Sequence, residues 1–255
     1  MKGNPDDKKP TRKDGRKMSE VEDKKPVASK NSRKSVADPT IAKKLESMTL
    51  NNPNYIKIKK ESHFSQPGKG EDGQKKTNQD AFLVLKNIAN CECFNLFAVM
   101  DGHGPNGHLV STFITKYMSS KLKSSKKLDN IQDEDELYAA LKKNNYEIIR
   151  HLFTHGEKEI LKGGSIDANF SGTTCVMVIQ VGNHIICANV GDSRAIMSKK
   201  TEVIPLSFDQ KPDDPSERPR IEKAGGEINQ YEEDGEKSGP FRVWQKGQPF
   251  PGIAM

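Results

Sequence analysis

Cysteine is scarce in this chain, with four residues among 255: Cys91, Cys93, Cys175 and Cys187. Cys91 and Cys93 form a lone C-x-C, and the other two fall inside strand-like runs. That pattern excludes a paired zinc-ligand motif and reads as buried, reduced thiols in an intracellular protein. Long apolar runs are missing as well. No stretch approaches the roughly 18 apolar residues of a membrane span. The start, Met1-Lys-Gly-Asn-Pro-Asp, lacks the apolar core of a secretory signal and the Met-Gly needed for myristoylation. A cytoplasmic or nuclear location is expected, or both. No internal repeat is visible.

Net charge is also missing from most of the chain. Residues 1–50 hold 14 basic and 8 acidic residues, and the remainder holds 27 of each. The whole surplus of +6 therefore lies near the amino terminus. The rest has no basic excess to hold phosphate backbones, so no nucleic-acid partner is expected. Residues 1–53 are rich in Lys, Asp, Ser and Pro and show no sustained apolar period before Ile41. They cannot bury enough apolar surface to offset the entropy of ordering, and they read as a disordered basic tail. The clusters Lys8-Lys9, Arg12-Lys13, Arg16-Lys17 and Lys24-Lys25 could touch acidic lipid, nucleic acid or a partner protein. Interspersed acids favour a solubilising linker. Arg33-Lys34-Ser35 fits a basic-directed kinase site, a pattern common by chance.

From about Asn54 the pattern becomes that of a folded domain, residues 54–255. Phe82–Leu85 and Cys93–Met100 read as strands. Gly107–Lys123 presents Val110, Phe113, Ile114, Tyr117, Met118 and Leu122 on one helical face, and Glu134–Phe153 repeats that spacing. The acidic run Asp133–Glu136 suits the positive end of the second helix. Thr173–Val181, the turn Gly182-Asn183 and His184–Asn189 form a hairpin, and Arg194–Ser198 and Glu202–Leu206 continue the meander. Pro215–Ala224 reads as a short helix with Gly225-Gly226 past its end. This order points to an α+β fold rather than a parallel βαβ repeat.

The segment Phe94–Gly104 carries the chemistry. An apolar strand stops at Asp101-Gly102-His103-Gly104. A carboxylate beside a glycine, whose carbonyl can approach the same ion, suits a hard cation such as Mg²⁺ or Mn²⁺. His103 is placed to move a proton nearby. On these four residues alone, an ordinary Gly-rich turn with Asp101 capping the next helix accounts equally well for the pattern.

Further segments join this one in order: Gln79-Asp80 at a strand start, Ser171-Gly-Thr-Thr174, Asn189-Val-Gly-Asp-Ser-Arg194, Asp209-Gln-Lys-Pro212 and Arg220-Ile-x-x-Ala-Gly-Gly226. Together they resemble the metal-dependent serine/threonine protein phosphatase family, type 2C, across roughly residues 54–255. The resemblance implies a central antiparallel β-sandwich flanked by helices on both faces. It implies hydrolysis of phosphoserine and phosphothreonine in proteins by a water activated between two Mg²⁺ or Mn²⁺ ions, with phosphorylated proteins as partners and a monomeric state. By the same resemblance, Asp101 bridges the metals, Gly102 offers its carbonyl, and His103 is the general acid. Asp80 lies beside the metals as a ligand or one step removed, and Asp209 lies where some members hold a weaker third metal. Lys75 or Lys76 meets the phosphate. Asp192 and Arg194 read as a structural turn and ion pair.

Three departures from the family pattern stand out. Gln79 replaces a common Glu, removing a negative charge. Lys75 replaces a common Arg, which supplies a bidentate fork that Lys lacks. The family pattern also continues beyond Phe241–Met255 into a Ser-Arg-Ser-x-Gly-Asp stretch and two further metal-binding aspartates. The expectation is therefore a domain without its last third. Two other readings remain open: a catalytically dead phosphoprotein-binding module, and a scaffold placed by its basic tail.

Overall fold

Alternating apolar residues define the central sheet of the computed structural model, which describes residues 55–128, 131, 133–247 and 252–253. In chain order the strands are β1 (Ala81–Leu85), β2 (Phe94–Met100), β3 (Gly102–His103), β4 (Gly172–Thr173), β5 (Cys175–Val181), β6 (His184–Val190), β7 (Ile196–Lys199), β8 (Glu202–Pro205), β9 (Gly226–Glu233) and β10 (Glu236–Gln245). The helices are α1 (Gly107–Lys123), α2 (Glu134–Gly163) and α3 (Arg218–Lys223). The basic tail expected over residues 1–53 lies outside the described residues.

The fold is α+β and its strand pairs are antiparallel. β1, β2, β5 and β6 form one four-stranded sheet in the order β1-β2-β5-β6. Register sets Leu83 opposite Ala98, Ala98 opposite Met177, Leu96 opposite Ile179, and Ile179 opposite Ile186. Because side chains alternate across a pleat, these residues share one face. That face and the apolar stripes of α1 and α2 form a single buried core. Phe94, Leu96, Met100, Met118, Leu137, Leu141 and Met177 are among its most enclosed members. Burial of such side chains is the main stabilising term, roughly 1.5–3 kcal/mol for each large apolar side chain.

The opposite face is more open. Phe82 and Val99 are 38% and 51% exposed. Toward its far end lies a buried polar pair, in which Asn95 Nδ2 donates to Gln180 Oε1 at 3.3 Å. Gln180 Nε2 donates in turn to the Ile56 carbonyl, tying the segment before β1 to the sheet. Besides the four-stranded sheet, the described residues form three two-stranded ladders: β3-β4, β7-β8 and β9-β10. The sandwich implied by the family resemblance is represented among the described residues only to that extent.

The start of α2 follows the sequence, but the helix runs on to Gly163, past the expected end at Phe153. Asp133 caps α2 by accepting the Glu136 backbone N–H at 2.9 Å. The expected uninterrupted helix is broken inside, because Asn144, Asn145 and Tyr146 all adopt positive φ. Asparagine tolerates that conformation better than most residues, so Asn144-Asn145 is the local cause of the break. The helix expected over 215–224 shortens to α3. Cys91 and Cys93 are paired in a disulfide just before β2, which corrects the reduced-thiol expectation for these two. Their Cα atoms are 5.3 Å apart, within bridging range. Cys175 and Cys187 remain free.

Candidate functional site

The end of β2 carries Asp101 out of the four-stranded sheet. Thr174, preceding β5, holds the turn: Asp101 N–H donates to Thr174 Oγ1 at 2.9 Å, and Thr174 N–H donates to the Asp101 carbonyl at 2.9 Å. Gly102 N–H then donates to the Gln79 carbonyl at 3.2 Å, and Ser111 Oγ donates to that same carbonyl at 2.7 Å. These bonds bring the Gln79-Asp80 corner beside Asp101. A Cβ at position 102 would lie 2.5 Å from the Gly107 carbonyl oxygen and 2.6 Å from that of Gln79, so only glycine fits. The turn reading is also settled in part: Asn106, not Asp101, occupies the N-cap position of α1.

His103 lies in β3, opposite Gly172 of β4. A Cβ on Gly172 would stand 2.6 Å from His103 Nε2 and 2.8 Å from Cε1. The missing side chain at 172 is what leaves room for the ring. His103 is half-buried, and desolvation lowers its pKa below the usual imidazole value; Asp101 and Asp192 pull it partly back.

Asp101 shows the complementary effect. Its carboxyl is raised above the ordinary Asp value, first by partial desolvation, then by the negative charges of Asp80 and Asp192, with His103 opposing. A hydrogen bond from the neutral Asp101 carboxyl to Asp80 favours that uncharged form and adds to the rise. The structure thus brings Asp80, Asp101, His103 and Asp192 into one electrostatic neighbourhood. Behind it, Gln79 Oε1 is buried without a hydrogen-bond partner and lies against Gly107.

The remaining candidate residues lie on other segments. Lys75 and Lys76 are exposed on a small hairpin before β1, where Lys69 bridges Lys75 and Lys76 N–H donates to the Gly68 carbonyl at 2.9 Å. The expected Asp192–Arg194 ion pair is not formed. Asp192 pairs with Lys211, while Arg194 binds Asp209 through Nε at 2.9 Å and NH2 at 2.7 Å. Asp192 and Arg194 lie in the turn between β6 and β7, and the 206–211 segment runs alongside it, with Leu206 N–H donating to the Ala195 carbonyl at 2.9 Å and Gln210 N–H to the Gly191 carbonyl at 3.1 Å. Asp209, expected near a third metal, lies in the ion pair with Arg194. Both of its oxygens are taken by the guanidinium, which also lowers its pKa. Sequence reasoning passed over Thr174 and Ser193, although both stand inside the motifs that drew attention to the region.

Oxygen donors dominate the neighbourhood of Asp101, and hard divalent cations prefer such donors. The fit is partial, because among the described residues no three His, Cys, Asp or Glu groups converge closely enough to hold an ion. Asp101, Asp80 and the Gly102 carbonyl are the donors that would hold one cation, with Asp192 adding long-range attraction.

A family model described as Protein phosphatase 2C matches residues 66–241. Similar relatives include Probable protein phosphatase 2C 14 of Oryza sativa subsp. japonica, 32% identical over 216 residues, covering 72% of this chain and 40% of that protein. Probable protein phosphatase 2C 6 of Arabidopsis thaliana is 30% identical over 222 residues, covering 72% of this chain and 44% of that protein. The chain therefore spans less than half the length of these relatives. Among solved structures, the serine-threonine phosphatase 2C from Toxoplasma gondii overlaps with a TM-score of 0.45 at 16% identity, covering 71% of this chain and 63% of that one. At that score the overlap adds nothing to the arrangement of sheet and helices described above.

Proposed function

Because this chain belongs to the protein phosphatase 2C family, we propose that it takes part in metal-dependent hydrolysis of phosphoserine and phosphothreonine in proteins. The observation that supports this most directly is the gathering of Asp80 and Asp192 around Asp101, whose carboxyl is raised first by desolvation and then by their charges, a setting that favours a cation. Asp101, Asp80 and the Gly102 carbonyl would hold Mg²⁺ or Mn²⁺, two ions in a complete site. When bound, such ions acidify water and neutralise phosphate charge.

The chain's own residues supply the rest. Lys75 and Lys76, exposed on the hairpin before β1, would attract the phosphate as point charges. Water attacks phosphorus in line, and the P–O bond to the serine or threonine oxygen breaks. His103 gives that oxygen its proton. The free protein disfavours a charged His103. A phosphate monoester placed beside the ring would favour the imidazolium, the form that donates. Residues 54–255 would act as one phosphatase-like domain acting on phosphorylated proteins inside the cell, as a monomer. Among the described residues no helix is long and apolar enough to cross a membrane.

The second reading is a phosphoprotein-binding module without turnover. It is supported by Gln79 in place of an acid and by the lack of three converging ligating groups among the described residues. Phosphate release from a phosphoserine peptide, measured with Mn²⁺ and with chelator, separates the two. Release that requires Mn²⁺ and disappears in Asp101→Ala supports the hydrolase. Peptide binding with no release under either condition supports the binding module.

A further inference from the structure

We propose that Thr174 is the positioning residue of this site: its main chain and hydroxyl clamp the backbone of Asp101 and so aim that carboxylate at a divalent cation. This inference rests on the metal-dependent reading above.

The pairing of β2 with β5 ends at Val99 opposite Val176, and β3 meets β4 with Gly102 opposite Thr173. Asp101 and Thr174 therefore face each other in the same register. An ordinary antiparallel pair of this kind exchanges two backbone bonds. Here one is kept, from Thr174 N–H to the Asp101 carbonyl at 2.9 Å. The other is transferred to the side chain, since Asp101 N–H donates to Thr174 Oγ1 at 2.9 Å. The Thr174 carbonyl, released from the ladder, accepts from Thr173 Oγ1 at 3.0 Å. This exchange interrupts the four-stranded sheet at the residue whose carboxyl meets Asp80.

The same side chain reaches a third segment. Thr174 Oγ1 and Ser193 Oγ lie 2.6 Å apart, sharing one hydroxyl proton in a hydrogen bond. Ser193 directly follows Asp192, whose charge acts on both Asp101 and His103. The Thr174 methyl packs on Gly191, where an added Cβ would come within 2.8 Å of Cγ2. Thr174 is wholly buried. One enclosed side chain thus joins the segments at the ends of β2, β5 and β6, and each part of it has a separate partner. Valine keeps the shape and removes the oxygen. Serine keeps the oxygen and removes the methyl.

That separation defines the test. The full chain, Thr174→Val, Thr174→Ser and Ser193→Ala are titrated with Mn²⁺, following free Mn²⁺ by electron paramagnetic resonance and melting by circular dichroism. Groups that orient metal ligands typically change affinity about 10–100-fold when removed. Thr174→Val should raise the Mn²⁺ dissociation constant by about that factor, with Ser193→Ala showing a smaller rise. Thr174→Ser should melt at lower temperature for want of its methyl yet bind Mn²⁺ close to the parent value. Equal Mn²⁺ affinity in Thr174→Val and the parent overturns the proposal, as does equal weakening by Thr174→Ser. Amide hydrogen exchange at Asp101 in the metal-free parent provides a readout independent of folding in the variants. Slow exchange, like that of Ala98 in β2, supports the clamp, and exchange as fast as at Gly104 overturns it. A parent chain that binds no Mn²⁺ refutes the metal-dependent reading, and exchange at Asp101 then decides the clamp by itself.

Discussion

Replacing Asp101 with Asn separates a metal-site carboxylate from a structural one, because the two roles predict opposite signs. The side chains are nearly equal in shape, and the backbone bonds to Thr174 do not involve the carboxylate. In the parent, Asp101 ionises against partial desolvation and then against the negative charges of Asp80 and Asp192, which raises its pKa. A group whose folded pKa exceeds its unfolded value favours the folded state when protonated, and that advantage is lost as pH rises through the folded pKa. At neutral pH the charge therefore opposes folding. Because Asp101 remains partly open to solvent, screening limits the effect to about 1 kcal/mol or less. Without metal, Asp101→Asn should melt at or above the parent by up to roughly 2–4 °C for a domain of this size. Mn²⁺ at a hundred times its dissociation constant should add about 2.7 kcal/mol to the parent. The parent should then gain roughly 5–10 °C by the same conversion, and the variant should gain little. Melting by circular dichroism, with chelator and with Mn²⁺, measures both. The difference between the metal-free proteins should also shrink as pH falls toward the ordinary carboxylate range, where Asp101 is uncharged. A variant that melts well below the parent without metal, or that gains as much from Mn²⁺, refutes the assignment.

Three further outcomes follow from the same geometry. Gly172→Ala puts a Cβ 2.6 Å from His103 Nε2, so the ring must swing aside; Mn²⁺-dependent phosphate release should fall while Mn²⁺ affinity and melting stay near the parent, and unchanged release rejects this packing. Leu137 is fully buried between α2 and the sheet core, so Leu137→Ala should cost about 2–5 kcal/mol in urea unfolding; a loss under about 1 kcal/mol contradicts the core assignment. The His103 ring should titrate below 6.5 by proton NMR in the metal-free chain. Since its folded pKa is lowered, its contribution to stability is full above the unfolded value and is lost as pH falls through the interval beneath it; titration above 6.5 would mean the ring is not desolvated as described.

Strands β1, β2 and β5–β8 and helix α1 were legible because their apolar spacing matches their geometry, whereas β3, β4 and the β9–β10 hairpin were not read from the sequence. Phe94–Met100 emerged as β2, and Gly107–Lys123 as α1 over the same residues. Less visible was the break in α2, where local Asn conformation overrides the apolar period. The Cys91–Cys93 bond was likewise not legible, because the composition of the whole chain says little about two thiols two positions apart. At the site, Asp101, Gly102 and His103 stood out from their place at a strand end. Their supports did not. Thr174 looks like any β-branched residue starting a strand, and its contact with Asp101 spans 73 positions of chain.

Sequence alone determined the order of most elements, the core face of α1 and the family to which the chain belongs. Those properties follow from local periodicity and from residue types at short spacing. Tertiary structure alone decided which charges meet. It paired Asp192 with Lys211 and Arg194 with Asp209, set Asp80 against Asp101, and moved one ladder bond onto the Thr174 hydroxyl. The physical reason is range. Side-chain hydrogen bonds and ion pairs act over a few ångströms of space, and strand pairing determines which distant residues come that close.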